Sequence, residues 1–410
     1  MEFARDELKG RKSTTERQHT ENLNSVRILH VYRTFFPDTQ GGLEEVIRQL
    51  CRGTKALGAV NTVLTTSKHI REPDEVLIEG ARVVRVPENF EIASCNVAVE
   101  AFAVFNELLR QNDLVYYHFP WPFADLLNLS AKQKKPVVIT YHSDIVRQKF
   151  LFRLYAPLMR HFLRSADRIV CTSPNYFATS DALTENAQRV EIIPIGLDAD
   201  SYPALIPEVI DEAETHFGRD FFLFVGVLRY YKGLPMLLHA AKDAPYKVVI
   251  VGSGPIEAEL RKLASELELD NVFFTGHISD EYKVALFHLC RAVVFPSFLR
   301  AEAFGVTLLE GAMHARPLIS TEVGSGTSHV NVHDKTGVVV TPGSAKSLRT
   351  AMDYLDGNAE MAKLMGIRAK QRFDKLFSGD LMAKRYWKLY TELVDEPQSE
   401  EAWRAMEVRR

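Results

Sequence analysis

Two acidic residues flank a glycine in the stretch "AEAFGVTLLE" (residues 301–310), and seven residues separate them. Glu302 comes before the predicted start of a helix at Val306, and Glu310 lies about one turn inside that helix. Gly305 allows the backbone to approach a ligand closely, and the free N–H groups and dipole of the helix start favour a phosphate there. Carboxylates on either side suit the hydroxyl pairs of a ribose and of a second sugar. The spacing alone fits an ordinary helix about equally well, because E-x7-E is common by chance.

Two cations lie on a second strand-to-helix loop, in "FVGVLRYYKGLPML" (residues 224–237). Arg229 and Lys232 are three residues apart and precede Gly233 and a predicted helix. In that position they could neutralise the charge of a leaving diphosphate. Each of them alone would be an unremarkable solvated charge.

The first half of the chain offers two further kinds of candidate residue. Gly41 and Gly42 open a predicted helix in "FFPDTQGGLEE", where a glycine pair allows a ligand near the backbone, although a plain helix-start turn is an equally good explanation. His118 and His142 end predicted strands, where site residues lie in parallel sheets. A lone histidine is more often structural. The turn "VGSGP" (251–255) lacks the third glycine of a dinucleotide fingerprint and is weak evidence.

These residues need elements to position them, and the sequence predicts parallel sheets. Short apolar runs alternate with amphipathic helical stretches, which is typical of strands covered on both faces by helices. A stretch rich in Pro and acids, residues 197–220, interrupts the alternation and is predicted to be a linker. The fold class is therefore α/β, with doubly wound domains over residues 26–200 and 201–378 that face a central cleft. A last helix, within residues 379–410, could cross back to the first domain.

The composition narrows the class of protein. The 410 residues are 46% hydrophobic and 25% charged, as in soluble globular proteins. The net charge of −3 balances 50 basic against 53 acidic residues, so nucleic acid is not an expected partner. The four cysteines form no CxxC pair, which argues against a zinc site or a disulfide framework and favours the cytoplasm. The acids of "DAD" (198–200) have no partner acids nearby, so no metal site is predicted there.

Three sequence features bear on membranes. Residues 1–25 are charged and rich in Ser and Thr, lack the apolar stretch of a signal peptide, and are predicted to be a disordered tail. No run of about 18 apolar residues predicts a membrane span. Residues 147–164, "RQKFLFRLYAPLMRHFLR", carry five basic residues and no acid. Such a helix could lie on an anionic membrane, or it could be a core helix with a cationic outer face.

Together these motifs resemble the retaining glycosyltransferases of family 4, which have the GT-B fold. The resemblance covers about residues 26–394 and rests on motifs found in the family's order: "GGLEEVIRQL", "GVLRYYKGL", "VGSGP", "FTGHISDEYKVALFHLCRAVVFPS" and "EAFGVTLLE". It implies two facing Rossmann-like domains and a nucleotide-sugar donor, with no metal or other cofactor. The "GVLRYYKGL" form and "GTSHVNVHDKTG" (326–337) are most similar to bacterial O-antigen mannosyltransferases that use GDP-mannose.

The resemblance implies a role for each candidate residue in the second domain. Glu302 would hold the donor sugar and Glu310 the ribose, while Arg229 and Lys232 would bind the donor diphosphate. The full donor site would comprise Gly41, Gly42, Arg229, Lys232, Glu302, Phe304, Gly305, Val306 and Glu310.

On the acceptor side, the resemblance implies that His118 lies near the anomeric centre and that His142 lines the same cleft. It also implies that catalysis depends on His118, Glu302, Arg229 and Lys232. Many family members carry the arginine directly after the strand glycine, as in "GRL…KG". Val227 occupies that place here, so the charge is assigned to Arg229.

The implied reaction transfers a hexose to a polyprenyl-diphosphate-linked saccharide at the inner face of the cytoplasmic membrane. The sugar leaves with its nucleotide diphosphate, and the acceptor hydroxyl attacks from the same face. Because no carboxylate is clearly placed as a double-displacement nucleophile, front-face displacement is favoured. The departing phosphate then takes the acceptor proton, and protein cations with the helix dipole take the part of a metal.

Several alternatives remain open at this point. A family 4 transferase could use a UDP-sugar instead of GDP-mannose. A phosphorylase or a nucleotide-sugar epimerase could have the same fold, and product analysis would separate them from a transferase. A non-catalytic scaffold that binds nucleotide-sugars is disfavoured, because the acids, cations and histidine of the site are all present.

Overall fold

The computed structural model describes residues 25–92, 95–145 and 149–395, with side chains described throughout except at 149–152. Residues 1–24 of the predicted tail lie outside the described residues. The chain forms two units, each a parallel sheet with helices on both faces. This confirms the predicted α/β class and its two Rossmann-like domains.

The first sheet has eight strands among the described residues, in the order β10-β9-β8-β7-β1-β2-β4-β3. All neighbouring pairs are parallel except β3 and β4. A separate hairpin pairs β5 with β6. The strands of this unit are β1 Arg27–Val31, β2 Val60–Ser67, β3 Asp74–Ile78, β4 Ala81–Pro87, β5 Phe90–Ile92, β6 Cys95–Val97, β7 Leu114–Phe119, β8 Val137–Tyr141, β9 Arg168–Cys171 and β10 Val190–Ile192.

The second sheet has six parallel strands in the order β13-β12-β11-β14-β15-β16. Its central strands are continuous apolar runs because helices cover both faces. The strands are β11 Phe222–Val225, β12 Val248–Val251, β13 Val272–Gly276, β14 Ala292–Phe295, β15 Leu318–Thr321 and β16 Gly337–Val340.

Helices connect most of the parallel strands, as a crossover in a parallel sheet requires. Proline at the first turn helps to start several of them, since its missing N–H costs nothing there. The described helices are α1 Gly42–Lys55, α2 Ala101–Gln111, α3 Pro122–Leu129, α4 Lys149–Ser165, α5 Pro174–Thr179, α6 Asp181–Thr184, α7 Pro207–Phe217, α8 Leu234–Ala241, α9 Glu257–Glu266, α10 Asp280–Leu289, α11 Val306–Met313, α12 Thr327–Val330, α13 Ala345–Gly357, α14 Ala359–Leu376 and α15 Gly379–Asp395.

The predicted linker, residues 197–220, contains helix α7, which packs on α10 of the second unit. Its Pro and acidic residues sit at the start and on the exposed side of that helix, where they do not prevent helix formation. The linker also contacts the segment that returns the chain to the first unit. Leu197 N–H donates to the Phe377 carbonyl at 2.9 Å, and Gly379 N–H donates to the Leu197 carbonyl at 2.8 Å.

Helix α15 lies on the first sheet. Its apolar face, including Met382, Tyr386 and Tyr390, forms one core with Ile28 of β1 and Tyr116 of β7. The last helix therefore completes the core of the first unit, although the second unit precedes it in the chain. None of the described helices is both long and apolar enough to cross a bilayer.

Candidate active site

The carboxyl ends of the two sheets face each other. A side chain added at Gly42, where α1 begins, would lie 3.6 Å from Val306 Cγ2, where α11 begins. At a second contact between the units, an Arg300 guanidinium nitrogen after β14 donates to Asp144 Oδ2 after β8 at 2.9 Å. The carboxyl ends of strands from both units therefore line one cleft, the place where parallel sheets bind ligands.

Helix α11 begins at Val306, as the sequence predicts, and glycine makes that start feasible. Gly305 has φ +91°, in the left-handed region that favours glycine, and an added Cβ would lie 3.0 Å from the Phe295 ring. Thr307 Oγ1 donates to the Val225 carbonyl at 3.1 Å, which fixes the first turn of α11 to the end of β11. The positive end of the helix dipole is thereby held at the carboxyl edge of the second sheet.

Lys232 and Glu302 lie side by side, although 70 positions separate them in the chain. Lys232 Nζ forms a short ion pair with Glu302 Oε2, and Ser297 Oγ donates to the same oxygen at 3.1 Å. The two side chains are 13% and 11% exposed. Lys232 Nζ also lies 4.8 Å from the centre of the Phe295 ring. A cation and a carboxylate thus lie together at a mostly buried position in the cleft.

Arg229 is exposed at the start of the same loop. Within the described residues its side chain makes no hydrogen bond or ion pair, so its charge is not neutralised by a neighbouring acid. It is close enough to Tyr32 in the first unit for an electrostatic interaction. The arginine therefore stands beside the cleft with donors available for an anion.

Glu310 is buried, with 6% of its surface exposed, and is held through one oxygen. Lys283 Nζ lies 3.2 Å from Glu310 Oε1, and the Tyr202 hydroxyl donates to the same atom at 3.3 Å. Burial lowers the pKa of Lys283, but Glu310 and Asp280 more than offset that effect, so its pKa is raised. None of the described residues bonds Glu310 Oε2, which leaves that oxygen for a ligand.

His118 does not line the cleft by itself, because both of its ring nitrogens bond other histidines. His118 Nε2 lies 3.3 Å from His30 Nδ1, and His118 Nδ1 lies 3.2 Å from His142 Nε2. His142 follows β8 two residues ahead of Asp144, which contacts the second unit. A direct contact between His118 and a substrate would require His142 to move.

Burial keeps this histidine row uncharged near neutral pH. It lowers the pKa of His30 to about 4 and that of His142 to about 3, and it lowers the pKa of His118 well below its ordinary value. The exposed fractions of the three are 0%, 6% and 1%, respectively. His142 therefore presents the most accessible ring of the row, at the cleft edge of the sheet.

Several residues of the site were not found from the sequence. Lys283 stands inside the quoted motif "FTGHISDEYKVALFHLC", and Tyr202 stands in the predicted linker, but nothing in either pattern indicates contact with Glu310. His30 did carry a signal, since a histidine inside the apolar strand "VRILHVY" must find a partner when buried. Of the described residues, no group of three His, Cys, Asp or Glu side chains has a metal-binding arrangement.

Solved structures identify the fold. Sucrose-phosphate synthase from Thermosynechococcus elongatus matches with a TM-score of 0.75 and 21% identity, covering 90% of this chain and 99% of that one. HepE from Anabaena, in complex with UDP and glucose, matches with a TM-score of 0.72 and 18% identity, covering 90% and 100%. At such identities the likeness defines the fold, which is the two-domain GT-B fold.

Sequence comparisons identify the family. The family model Glycosyltransferase Family 4 matches residues 40–201, and Glycosyl transferases group 1 matches residues 208–372. The chain is 48% identical over 354 residues to D-rhamnosyltransferase WbpZ of Pseudomonas aeruginosa, covering 86% of this chain and 92% of that protein. It is 46% identical over 370 residues to O-antigen chain mannosyltransferase C of Escherichia coli, covering 90% and 99%. The chain belongs to glycosyltransferase family 4 and is a glycosyltransferase.

Proposed function

We propose that this enzyme transfers mannose from GDP-mannose, with retention of configuration, to a lipid-linked saccharide in O-antigen assembly. The observation that carries the proposal is the adjacency of Lys232, Glu302 and the start of α11 in the cleft. The choice of sugar and pathway is supported by the 46% identity to O-antigen chain mannosyltransferase C.

The leaving group is stabilised by positive charge from one side of the cleft. Arg229 and Lys232 bind the diphosphate, and the helix start at Val306 directs its dipole to the same phosphates. Glu302 is the partner of Lys232 in the structure, so it also fixes the lysine in place. When the donor binds, the Glu302 carboxylate accepts hydrogen bonds from the hydroxyls of its sugar.

For the retaining reaction that we propose, the pairing of the two cleft acids supports front-face displacement over double displacement. Glu302 is paired with Lys232, and Glu310 is paired with Lys283, so each is a hydrogen-bonded anion facing a cation. Pairing with a cation weakens a carboxylate as a nucleophile. The acceptor hydroxyl therefore attacks the anomeric carbon on the face that the diphosphate leaves, and the phosphate oxygen accepts its proton.

The donor is tested by measuring product with purified enzyme and a panel of GDP- and UDP-sugars. The panel includes GDP-linked 6-deoxymannose, because one relative is a D-rhamnosyltransferase and D-rhamnose lacks only the hydroxyl at carbon 6 of mannose. Turnover of GDP-mannose with an α-linked product supports the proposal. Turnover of a UDP-sugar alone, or an inverted product, overturns it.

The acceptor is proposed to be lipid-linked because helix α4 offers a surface suited to an anionic bilayer. Leu154 is 70% exposed, and Arg153, Arg160 and Arg164 are exposed on the same helix. Basic and apolar side chains together favour a membrane interface. Cosedimentation with vesicles of anionic lipid, but not with neutral vesicles, is expected. An Arg160→Gln, Arg164→Gln variant that still binds as tightly would contradict this surface.

A further inference from the structure

A diagonal row of four side chains crosses the first sheet. Asn61 is on β2, His30 on β1 and His118 on β7, and His142 directly follows β8. The strand registers pair Ile28 with Asn61, His30 with Tyr116, and His118 with Thr140. Each step of the row therefore moves one strand across and two residues toward the carboxyl end. A shift of two residues keeps every member on the same face of the sheet.

The amide at the far end of the row has only one orientation that satisfies its neighbours. Asn61 Nδ2 lies 2.9 Å from the Cys51 carbonyl and 3.4 Å from the Gly80 carbonyl, and both of these oxygens can only accept. Asn61 Oδ1 therefore faces His30 Nε2, at 3.2 Å. Because Asn61 Oδ1 can only accept a hydrogen bond, the proton of His30 must be on Nε2.

That orientation propagates through the row. A neutral His30 with its proton on Nε2 has a lone pair on Nδ1, so His118 Nε2–H must be the donor across 3.3 Å. By the same reasoning His118 Nδ1 accepts from His142 Nε2–H across 3.2 Å. The rings His30–His118 and His118–His142 are nearly parallel, with interplanar angles of 18° and 17°. His142 is left with an unprotonated Nδ1.

The surroundings supply no competing charge. Of the described residues, no acid bonds to any of the three rings, and their aromatic neighbours are Tyr116 and Tyr32. His142 Nδ1 has no hydrogen-bond partner among the described residues. The row is thus polar, buried and satisfied everywhere except at the nitrogen nearest the cleft.

We propose that Asn61, His30 and His118 are positioning residues that hold His142 as the Nε2–H tautomer, so that its Nδ1 accepts a hydrogen bond from a hydroxyl of the bound sugar. His118 thereby acts through His142. The identity of the hydroxyl rests on the proposed transferase function, whereas the tautomer is a property of the free protein. A neutral acceptor orients a hydroxyl without adding charge beside the anomeric centre.

The tautomer is tested first, by long-range proton–nitrogen correlation NMR of the full chain labelled with 15N-histidine and without donor. His30, His118 and His142 are assigned by single substitution. We expect only the Nε2–H form at all three from pH 6 to 8. In His118→Phe, which keeps a ring but removes both nitrogens, we expect His142 to populate Nδ1–H. A dominant Nδ1–H form in the unsubstituted protein, or no change in His118→Phe, would overturn the proposal.

Tyr116→Phe is the matched control. Tyr116 packs against His30 and His118, with ring centres 5.0 and 4.4 Å away, but contributes no atom to the row. This variant removes a buried hydroxyl and should leave the tautomer of His142 unchanged. His118→Gln retains one donor and one acceptor. It should therefore restore much of the Nε2–H form of His142 that His118→Phe loses.

The function of the row is tested by adding ligands to the same labelled protein. GDP-mannose should shift the His142 Nδ1 resonance, whereas GDP should not. Transfer by His118→Phe should fall about tenfold in kcat/KM, the equivalent of one hydrogen bond. An unshifted resonance with donor bound, as verified by calorimetry, would overturn the sugar contact. Absence of turnover in the unsubstituted enzyme would instead refute the transferase proposal and leave the tautomer result standing.

Discussion

At the scale of single residues, most charged side chains of the site are paired with an opposite charge among the described residues, and Arg229 is not. Lys232 and Glu302 are paired, and so are Lys283 and Glu310. Arg229 is exposed and makes no ion pair among the described residues. A donor diphosphate should therefore meet Arg229 first, while the paired residues determine how its two ends are held.

Replacing Glu310 by glutamine should weaken donor binding by about 10- to 100-fold, because a hydrogen bond to a charged group is lost. It should also lower the free energy of unfolding by about 1–3 kcal/mol, since Lys283 loses its buried partner. Calorimetry with GDP-mannose and urea denaturation measure the two effects. Asp280→Asn is the control, because Asp280 contacts the same lysine at 2.8 Å but is 58% exposed. Equal donor affinity in both variants would contradict the ribose role.

Replacing Arg229 by glutamine should lower kcat by about 10²- to 10³-fold, as expected for one donor that stabilises charge in the transition state. The fold should be unaffected, because the side chain is exposed. Steady-state kinetics test this against Arg219→Gln, a surface arginine paired with Glu214. A kcat within threefold of the unsubstituted enzyme would mean that Lys232 and the helix start stabilise the leaving diphosphate without Arg229.

At the scale of elements, the start of α11 depends on a backbone conformation that few residues adopt. Gly305→Ala should destabilise the protein by about 1–3 kcal/mol, because it combines a left-handed φ with a close contact to Phe295. Donor affinity should fall as well, since the helix start moves. Gly343→Ala is the control, because Gly343 has φ +72° but open space around it. The control should lose some stability and keep its donor affinity.

The histidine row predicts a loss of stability in acid. The folded-state pKa values of His30 and His142 are lowered to about 4 and about 3, below the unfolded value near 6.5. The unfolded chain therefore binds more protons as pH falls below 6.5, and the free energy of unfolding should drop by about 1 kcal/mol per histidine between pH 7 and 5.5. Urea denaturation across this range should give a shallower decline in His30→Gln. The exposed His277→Gln should leave the decline unchanged.

The sequence predicted elements well wherever burial on both faces produces an apolar run. The apolar runs at 26–32 and 247–254 coincide with β1 and β12, and the helix predicted to begin at Val306 does begin there. Strand β3 and the β5–β6 hairpin were missed, because "DEVLI" is half-exposed and "FEI" is exposed, so neither shows such a run.

The candidate site was predictable in residue types but not in contacts. Lys232 and Glu302 were both chosen from the sequence, yet their ion pair depends on how two loops 70 positions apart meet. The histidine row depends on the register of four strands, and no single segment contains that information. The family resemblance implied that His118 lies near the anomeric centre, and the strand register now shows that His142 lies beside it, nearer the cleft edge.

At the scale of the whole molecule, one ion pair ties the two units together beside the cleft. Arg300 bonds Asp144 and also donates to Thr179 Oγ1 at 2.6 Å, so a loop next to Glu302 is attached to the first unit. Arg300→Gln should raise the KM for the donor up to about fivefold, in line with at most ~1 kcal/mol for a partly exposed pair. X-ray scattering should report a larger radius of gyration without donor.

Arg261→Gln is the control for Arg300→Gln, because it removes an ion pair that lies within the second unit. In a double-mutant cycle, Asp144→Asn should have an effect in the unsubstituted enzyme and little further effect in Arg300→Gln, because the ion pair is already lost there. If the scattering curve and the KM of Arg300→Gln match those of the control, the ion pair is an incidental contact.

The return of α15 to the first sheet has a consequence for synthesis of the chain. When residue 200 leaves the ribosome, the sheet face around Ile28 and Tyr116 still lacks the helix that covers it. About 180 further residues must be made first, which takes roughly 10–35 s at ribosomal speeds. During that time the nascent first unit exposes an apolar surface of the kind that chaperones bind. We therefore expect chaperones to bind the half that carries the histidine row until the last helix has been made.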